Sequence, residues 1–146
     1  TDSPLSVRRR TYVPFMLSQG NQGEVLAVTW LMSQGYDVAL PIGSCSNYDV
    51  IAVIENRPVL VQVKTTRQRI GERCGVTVCT RGGNQSWNRI VKRFGPERCD
   101  FLYVHAADGR RWFIPSDRVD GETAIIVGGP KYADFELEPG APLTLS

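Results

Sequence analysis

Several residue patterns are scarce or missing from this chain. It has one histidine, His105, and four cysteines, Cys45, Cys74, Cys79 and Cys99, no two of which form a CxxC pair. Such spacings carry no positive signal for a zinc site or a disulfide framework, so reduced, packed thiols are the expectation. His105 alternates with Phe101 and Tyr103 in a strand-like run, which predicts a partly buried strand residue rather than a catalytic one. No apolar run approaches the roughly 18 residues of a membrane-spanning helix. No signal-type apolar segment follows the arginines at 8–10. These absences predict a soluble, intracellular protein with no membrane partner. Internal repeats and low-complexity tracts are also missing, which argues against a repeat array or a disordered linker.

What is present suits one globular unit. The chain has 146 residues, of which 42% are apolar and 22% charged, enough for a real core and short for two domains. Residues 1–20 read as an N-terminal arm and 21–146 as a single domain. Net charge is only +2, but it is unevenly spread. Residues 57–98 hold ten basic side chains against Glu72 and Glu97, while both flanks are net acidic. Fourteen of the 17 cations are arginine, the residue suited to planar recognition of phosphates and base edges. A basic middle between acidic ends points to a polyanionic partner.

Hydrophobic periodicity predicts the elements. Residues 21–34 read as a helix, with Asn21 as N-cap, Gly35 as terminator, and Glu24, Ala27, Val28 and Leu31 along one stripe. Asn21 and Glu24 together also fit a capping box, a structural reading of that glutamate. Strands are expected at 36–41, at 75–80 and at 124–128. A further pair flanks an Asp108-Gly109 hairpin turn. Trp87, Ile90, Val91 and Phe94 predict a second helix over 86–95, with Trp87 as a core anchor. The order of helix, strands, helix and strands predicts a mixed α/β or α+β domain on one central sheet flanked by helices.

The chemistry concentrates in the stretch YDVIAVIENRPVLVQVKTT, two apolar strands joined by a polar turn. If Asn56-Arg57 or residues 55–58 form the turn, Asp49 stands opposite Lys64, and Gln62 stands opposite Ile51 and diagonal to Asp49. Any turn of even length leaves Asp49, Gln62 and Lys64 on one face at one end of the hairpin. Val50, Ala52, Val61 and Val63 make the other face apolar, and Ile51, Val53 and Leu60 do the same on this one. Polar residues that break into a sheet buried on both sides usually have a partner or a task. A plain cross-strand Asp49–Lys64 ion pair is the structural alternative.

At these residues the chain resembles the PD-(D/E)xK nuclease superfamily. Its signature is an acid opening one strand, acid-x-Lys on the neighbouring strand, and a glutamate on the preceding helix. Glu24, Asp49, Gln62 and Lys64 stand in those places. Tyr48 replaces the motif's proline and Gln62 its second acid. The Q-x-K form is similar to that of homing endonucleases encoded by group I introns. GGNQSW at 82–87, CDFLYV at 99–104 and DGRRWFIPSDRV at 108–119 also resemble segments of such proteins.

The resemblance implies a restriction-endonuclease-like core and a metal-dependent enzyme that cuts double-stranded DNA. It implies Mg²⁺ held by Asp49, the side-chain oxygen of Gln62 and the backbone carbonyl of Val63. Glu24 would serve a second ion, and Lys64 would orient the attacking water or stabilise phosphate charge. Arg67, Arg69, Arg81, Arg89, Lys92 and Arg93 are the candidate DNA contacts, and the arginines at 8–10 a further arm. One chain offers one site, so a homodimer or homotetramer is expected, with no small-molecule substrate. Two other readings stay open: a structure-specific nuclease of the Holliday junction resolvase kind, and an inactive DNA-binding module in which Gln62 is an inactivating, even engineered, residue.

Overall fold

The computed structural model describes residues 19–43, 47–81 and 91–144. The first element is helix α1, Gln19–Ser33. Gly20, Gly23, Val25, Val28 and Thr29 make it a poor helix by intrinsic preference. Burial holds it instead, along Gly23, Ala27 and Leu31 at i, i+4 and i+8. Because α1 already includes Gln19 and Gly20, Asn21 lies inside the helix and is not its N-cap. The capping-box reading of Glu24 falls with it. The predicted C-terminus does form. Gly35 adopts φ +88°, its N–H donates to the Met32 carbonyl at 3.0 Å, and the Tyr36 N–H donates to the Leu31 carbonyl at 3.3 Å. These bonds are a Schellman motif, closed by Tyr36 packing in the same apolar cluster as Leu31.

Strands follow as β1 (Asp37–Ala39), β2 (Val50–Ile54), β3 (Arg57–Thr66), β4 (Arg69–Ile70), β5 (Arg73–Thr77), β6 (Thr80–Arg81), β7 (Val91–Lys92), β8 (Phe101–Ala106), β9 (Arg111–Pro115) and β10 (Ala124–Val127). The central sheet has the order β1-β2-β3-β8-β9. It is mixed, because β3 runs antiparallel to β2 but parallel to β8, from Val61↔Phe101 to Thr66↔Ala106. β8 and β9 form the predicted hairpin. Ala107 joins Asp108 and Gly109 in a three-residue loop, with Gly109 at φ +99°.

The β2–β3 register differs from the expected one. Val50 pairs with Val61 and Ile54 with Arg57, so the turn is Glu55-Asn56. Both turn residues have positive φ, 51° and 63°, the type I′ geometry that matches strand twist in a two-residue hairpin. Every partner within β2 moves by two residues, and Asp49, just outside the strand, donates its N–H to the Val61 carbonyl. A shift of two preserves side-chain parity, so Gln62 and Lys64 still share one face of β3, and the Gln62 amide reaches the Asp49 carboxylate.

The central sheet is covered differently on its two sides. Ala27 and Leu31 of α1 cover Val50, Ala52, Val61, Val63 and Tyr103. The opposite face, with Leu102, Val104, Trp112 and Ile114, is covered by a second antiparallel sheet of order β10-β5-β4, through Cys74, Val76, Ile125 and Val127. Arg110 ties the layers together: it bonds Asp108 at 2.9 Å and the Glu72 carbonyl at 2.9 Å. The fold is α+β, but among the described residues an α-helix flanks only one face; the 3-10 helix Pro130–Phe135 packs Tyr132 and Phe135 into the core on the other.

The second predicted helix is not formed over 91–94. Val91 and Lys92 pair with Arg81 and Thr80 as a short ribbon. Phe94 enters the core, its N–H on the Glu122 carbonyl at 3.1 Å. Residues 86–90, including Trp87, lie outside the described residues, as does Cys45. Cys74, Cys79 and Cys99 are free thiols. His105 is fully buried between the Tyr103 hydroxyl at 2.9 Å and the Ala141 carbonyl at 2.7 Å. It is a satisfied core histidine.

Candidate active site

Asp49 sits just before β2, where the hairpin strands begin to part. Its N–H donates to the Val61 carbonyl at 2.8 Å. Its Oδ2 accepts from Gln62 Nε2 at 2.6 Å and from the Val63 N–H at 2.9 Å. The carboxylate thus satisfies a backbone donor of β3 beyond the last paired residue of β2. Gln62 is buried, and Asp49, Lys64 and Glu24 are half-buried.

The electrostatics join all four residues. Desolvation raises the Asp49 pKa above its ordinary value, against the lowering effects of the Val63 N–H, the Lys64 charge and the Gln62 amide. The Glu24 pKa is raised too, first by desolvation and then by the charge of Asp49. Two carboxylates in one partly dry space, each costly as an anion, describe a place where added positive charge is stabilised.

Among the described residues there is no group of three or more His, Cys, Asp or Glu side chains able to hold a metal ion. The groups that could be offered to an ion here are the Asp49 and Glu24 carboxylates and the Gln62 side-chain oxygen, with the Val63 carbonyl the remaining candidate. All are oxygen, which fits a hard divalent cation and not a thiophilic one. The Gln62 amide spends its nitrogen on Asp49, so its oxygen is the end left for other partners.

Helix α1 brings Glu24 to the site by approaching β3 closely. A Cβ on Gly23 would overlap the Thr65 methyl and lie 3.2 Å from Val63 Cγ1. At the first turn, Gln19 Nε2 donates to Thr65 Oγ1 at 2.9 Å, and Arg67 Nε donates to Gln19 Oε1 at 2.6 Å. Arg67 Nη2 also donates to the Thr144 carbonyl at 2.6 Å. No local pattern in the sequence signals Gln19, Gln22 or Thr144, whose partners lie far along the chain.

The other candidate cations are dispersed. Arg69 is exposed on β4. Arg93 is exposed and donates to the Gly121 carbonyl at 2.9 Å. The side chains of Arg81 and Lys92, all of Arg89, and the arginines at 8–10 lie outside the described residues. A cavity of about 550 Å³ lies elsewhere, against the second sheet and Tyr132.

Comparison with known proteins supplies the family. No curated protein sequence matches the chain. Among solved structures, the bacterial homing endonuclease I-Ssp6803I superposes with a TM-score of 0.65 at 17% identity, over 81% of this chain and 86% of that one. A likeness at that identity speaks for the fold alone. The family profile described as PD-(D/E)XK endonuclease matches residues 17–131, a span that contains Glu24, Asp49, Gln62 and Lys64. An acid bonded to an amide, with a lysine two residues along the same strand and a helix glutamate beside them, fall within that match: the chain belongs to the PD-(D/E)XK endonuclease family.

Proposed function

We propose that the protein is a divalent-metal-dependent endonuclease that hydrolyses phosphodiester bonds in double-stranded DNA at specific sites, an enzyme of the homing type that acts inside the cell as a symmetric homo-oligomer. The observation that carries this reading is the junction at Asp49. There the Gln62 amide and the Val63 N–H hold one carboxylate oxygen, Lys64 is on the same hairpin face, and Glu24 is near enough to feel the charge.

Asp49, the Gln62 side-chain oxygen and the Val63 carbonyl are the groups that would hold Mg²⁺, with Glu24 beside them for the same ion or a second. When bound, the ion supplies Lewis-acid stabilisation at the phosphate and acidifies water beside it. The protein's own residues do the rest. Val63 N–H and Gln62 Nε2 fix the rotamer of Asp49. A neutral amide in place of a second acid keeps an oxygen donor while lowering the negative charge that a phosphodiester must approach. The Lys64 ammonium carries three donors and no acceptor, so its role is to orient the attacking water or to hold charge developing on phosphate. Arg69 and Arg93 on the described surface, with Arg81, Arg89 and Lys92, supply phosphate or base contacts.

The direct test is incubation with linear duplex libraries and with four-way junctions, in Mg²⁺ and in EDTA. Cleavage of linear duplex at discrete sites, in Mg²⁺ only, is expected. Cutting of junctions alone would make the protein a resolvase-like enzyme, and binding without cutting in any divalent ion would make it a binding module.

A further inference from the structure

Arg67 follows the catalytic strand directly, and composition assigns it to DNA. Its hydrogen bonds give it different work. Nε and Nη2 donate at 2.6 Å to Gln19 Oε1 and to the Thr144 carbonyl, which lie 48 and 77 residues away in sequence. Gln19 uses the other end of its amide on Thr65, the residue after Lys64. Gln22 is nearly fully buried, and its Oε1 accepts the Thr144 N–H at 2.9 Å. The helix start, the end of β3 and the C-terminal tail therefore meet at one guanidinium. Both acceptors suit the planar fork of arginine. Next to this knot Gly23 has no side chain, so α1 lies against Val63 and Thr65.

We propose that Arg67 is a positioning residue: with Gln19, Gln22 and the Thr144 backbone it forms a clasp that fixes the first turns of α1 on β3, and so fixes Glu24 beside Asp49. The clasp rests on the endonuclease reading only for its kinetic consequence. Its geometric consequence, the closeness of two carboxylates, stands without it.

The test uses Arg67→Ala, Arg67→Lys and Gln19→Ala in the full chain, with two independent readouts. The first is duplex cleavage beside duplex affinity at several salt concentrations. Arg67→Ala is expected to lower kcat by roughly 10–100-fold, the size associated with losing a group that orients a site rather than reacts in it. Duplex Kd and its salt dependence stay as in the parent. Gln19→Ala has the same effect, the double variant is no worse than either single one, and Arg67→Lys recovers little because a point charge cannot serve both acceptors in the plane. The second readout is amide hydrogen exchange over the first turns of α1. In the parent those amides are protected; in Arg67→Ala their protection falls while that of β8 is kept. Intact kcat together with a salt slope smaller by about 0.9 would make Arg67 a phosphate contact and overturn the clasp. Unchanged protection of α1 in Arg67→Ala overturns it as well. If the parent cuts no DNA at all, the endonuclease reading fails by itself, and hydrogen exchange alone decides the clasp.

Discussion

Asp49 and Glu24 are charged at a cost to folding. Both have folded pKa values raised above the ordinary range, chiefly by desolvation. The linkage sign follows: the native state holds these protons more tightly, so the stability they contribute is present at low pH and is lost as pH rises through the folded values. His105 runs the other way. Burial lowers its pKa below 6.5, and its contribution is lost as pH falls below that value towards the folded one. Asp49→Asn keeps an oxygen for the Val63 N–H and removes the charge. In metal-free buffer at neutral pH it should melt higher than the parent, with the difference closing towards pH 4, near the ordinary aspartate value of 3.8. Mg²⁺ should raise the parent's melting temperature and leave that of Asp49→Asn almost unchanged. A variant that melts lower than the parent at neutral pH would show that the Asp49 charge stabilises the fold. Gln62 and Lys64 give a second prediction at this scale. Gln62→Ala removes both the donor to Asp49 and the side-chain oxygen, so it should abolish Mg²⁺-dependent nicking while duplex still binds. Gln62→Glu restores an oxygen and adds charge, and should retain some nicking with altered metal preference. Lys64→Ala should stop nicking but spare metal binding measured by calorimetry, since lysine is a donor and not a ligand. Full nicking by Gln62→Ala would reduce position 62 to packing.

The hairpin that presents these residues carries its own strain. Glu55 sits at φ 51°, a conformation that asparagine and glycine tolerate and a longer side chain resists. Replacing the pair by Glu55→Asn with Asn56→Gly should stabilise the fold by about 1 kcal/mol, seen as a melting temperature higher by a few degrees. Cleavage should stay at the parent level, because the turn lies at the far end of the strands from Asp49. Loss of stability would mean that Glu55 makes a compensating interaction. This turn also marks the limit of what the sequence discloses. Parity is legible for the paired residues, because every even-length turn keeps Gln62 and Lys64 on one face, while the departure of Asp49 from β2 is not. Register is not, because Glu55 is no type I′ residue and nothing local announces positive φ there. Helix α1 is legible in its stripe and its Gly35 stop, whereas its true start depends on partners at Thr65 and Thr144. The helix expected over 86–95 shows apolar spacing without tertiary context: backbone partners at Glu122 and Thr80 win over residues 91–94. Nor does any local signal show that a second sheet, rather than a helix, covers the face carrying Leu102 and Ile114.

At the scale of the whole molecule, the proposed function sets one site per chain against a substrate with two antiparallel strands. The described residues hold a single Asp49–Gln62–Lys64 junction, and under the proposed function two cuts in a duplex call for two such junctions related by a two-fold axis. The proposed oligomer therefore has a kinetic signature. Parent chains alone should pass from supercoiled to linear plasmid with little nicked intermediate. Chains co-assembled with excess Lys64→Ala should accumulate nicked plasmid, because mixed assemblies hold one competent site beside one that still binds. Light scattering on the free protein should give the mass of a dimer or tetramer. A monomeric mass, with linear product falling simply in proportion to the parent fraction and no excess of nicks, would mean that one chain makes both cuts in turn. The basic middle of the chain would then have to hold the duplex through two orientations of a single site. Such rebinding makes linear product depend steeply on salt, since salt weakens the phosphate attraction that must recapture the nicked duplex before its second cut. A paired enzyme holds both strands through one encounter, and its ratio of linear to nicked product should change little as salt rises.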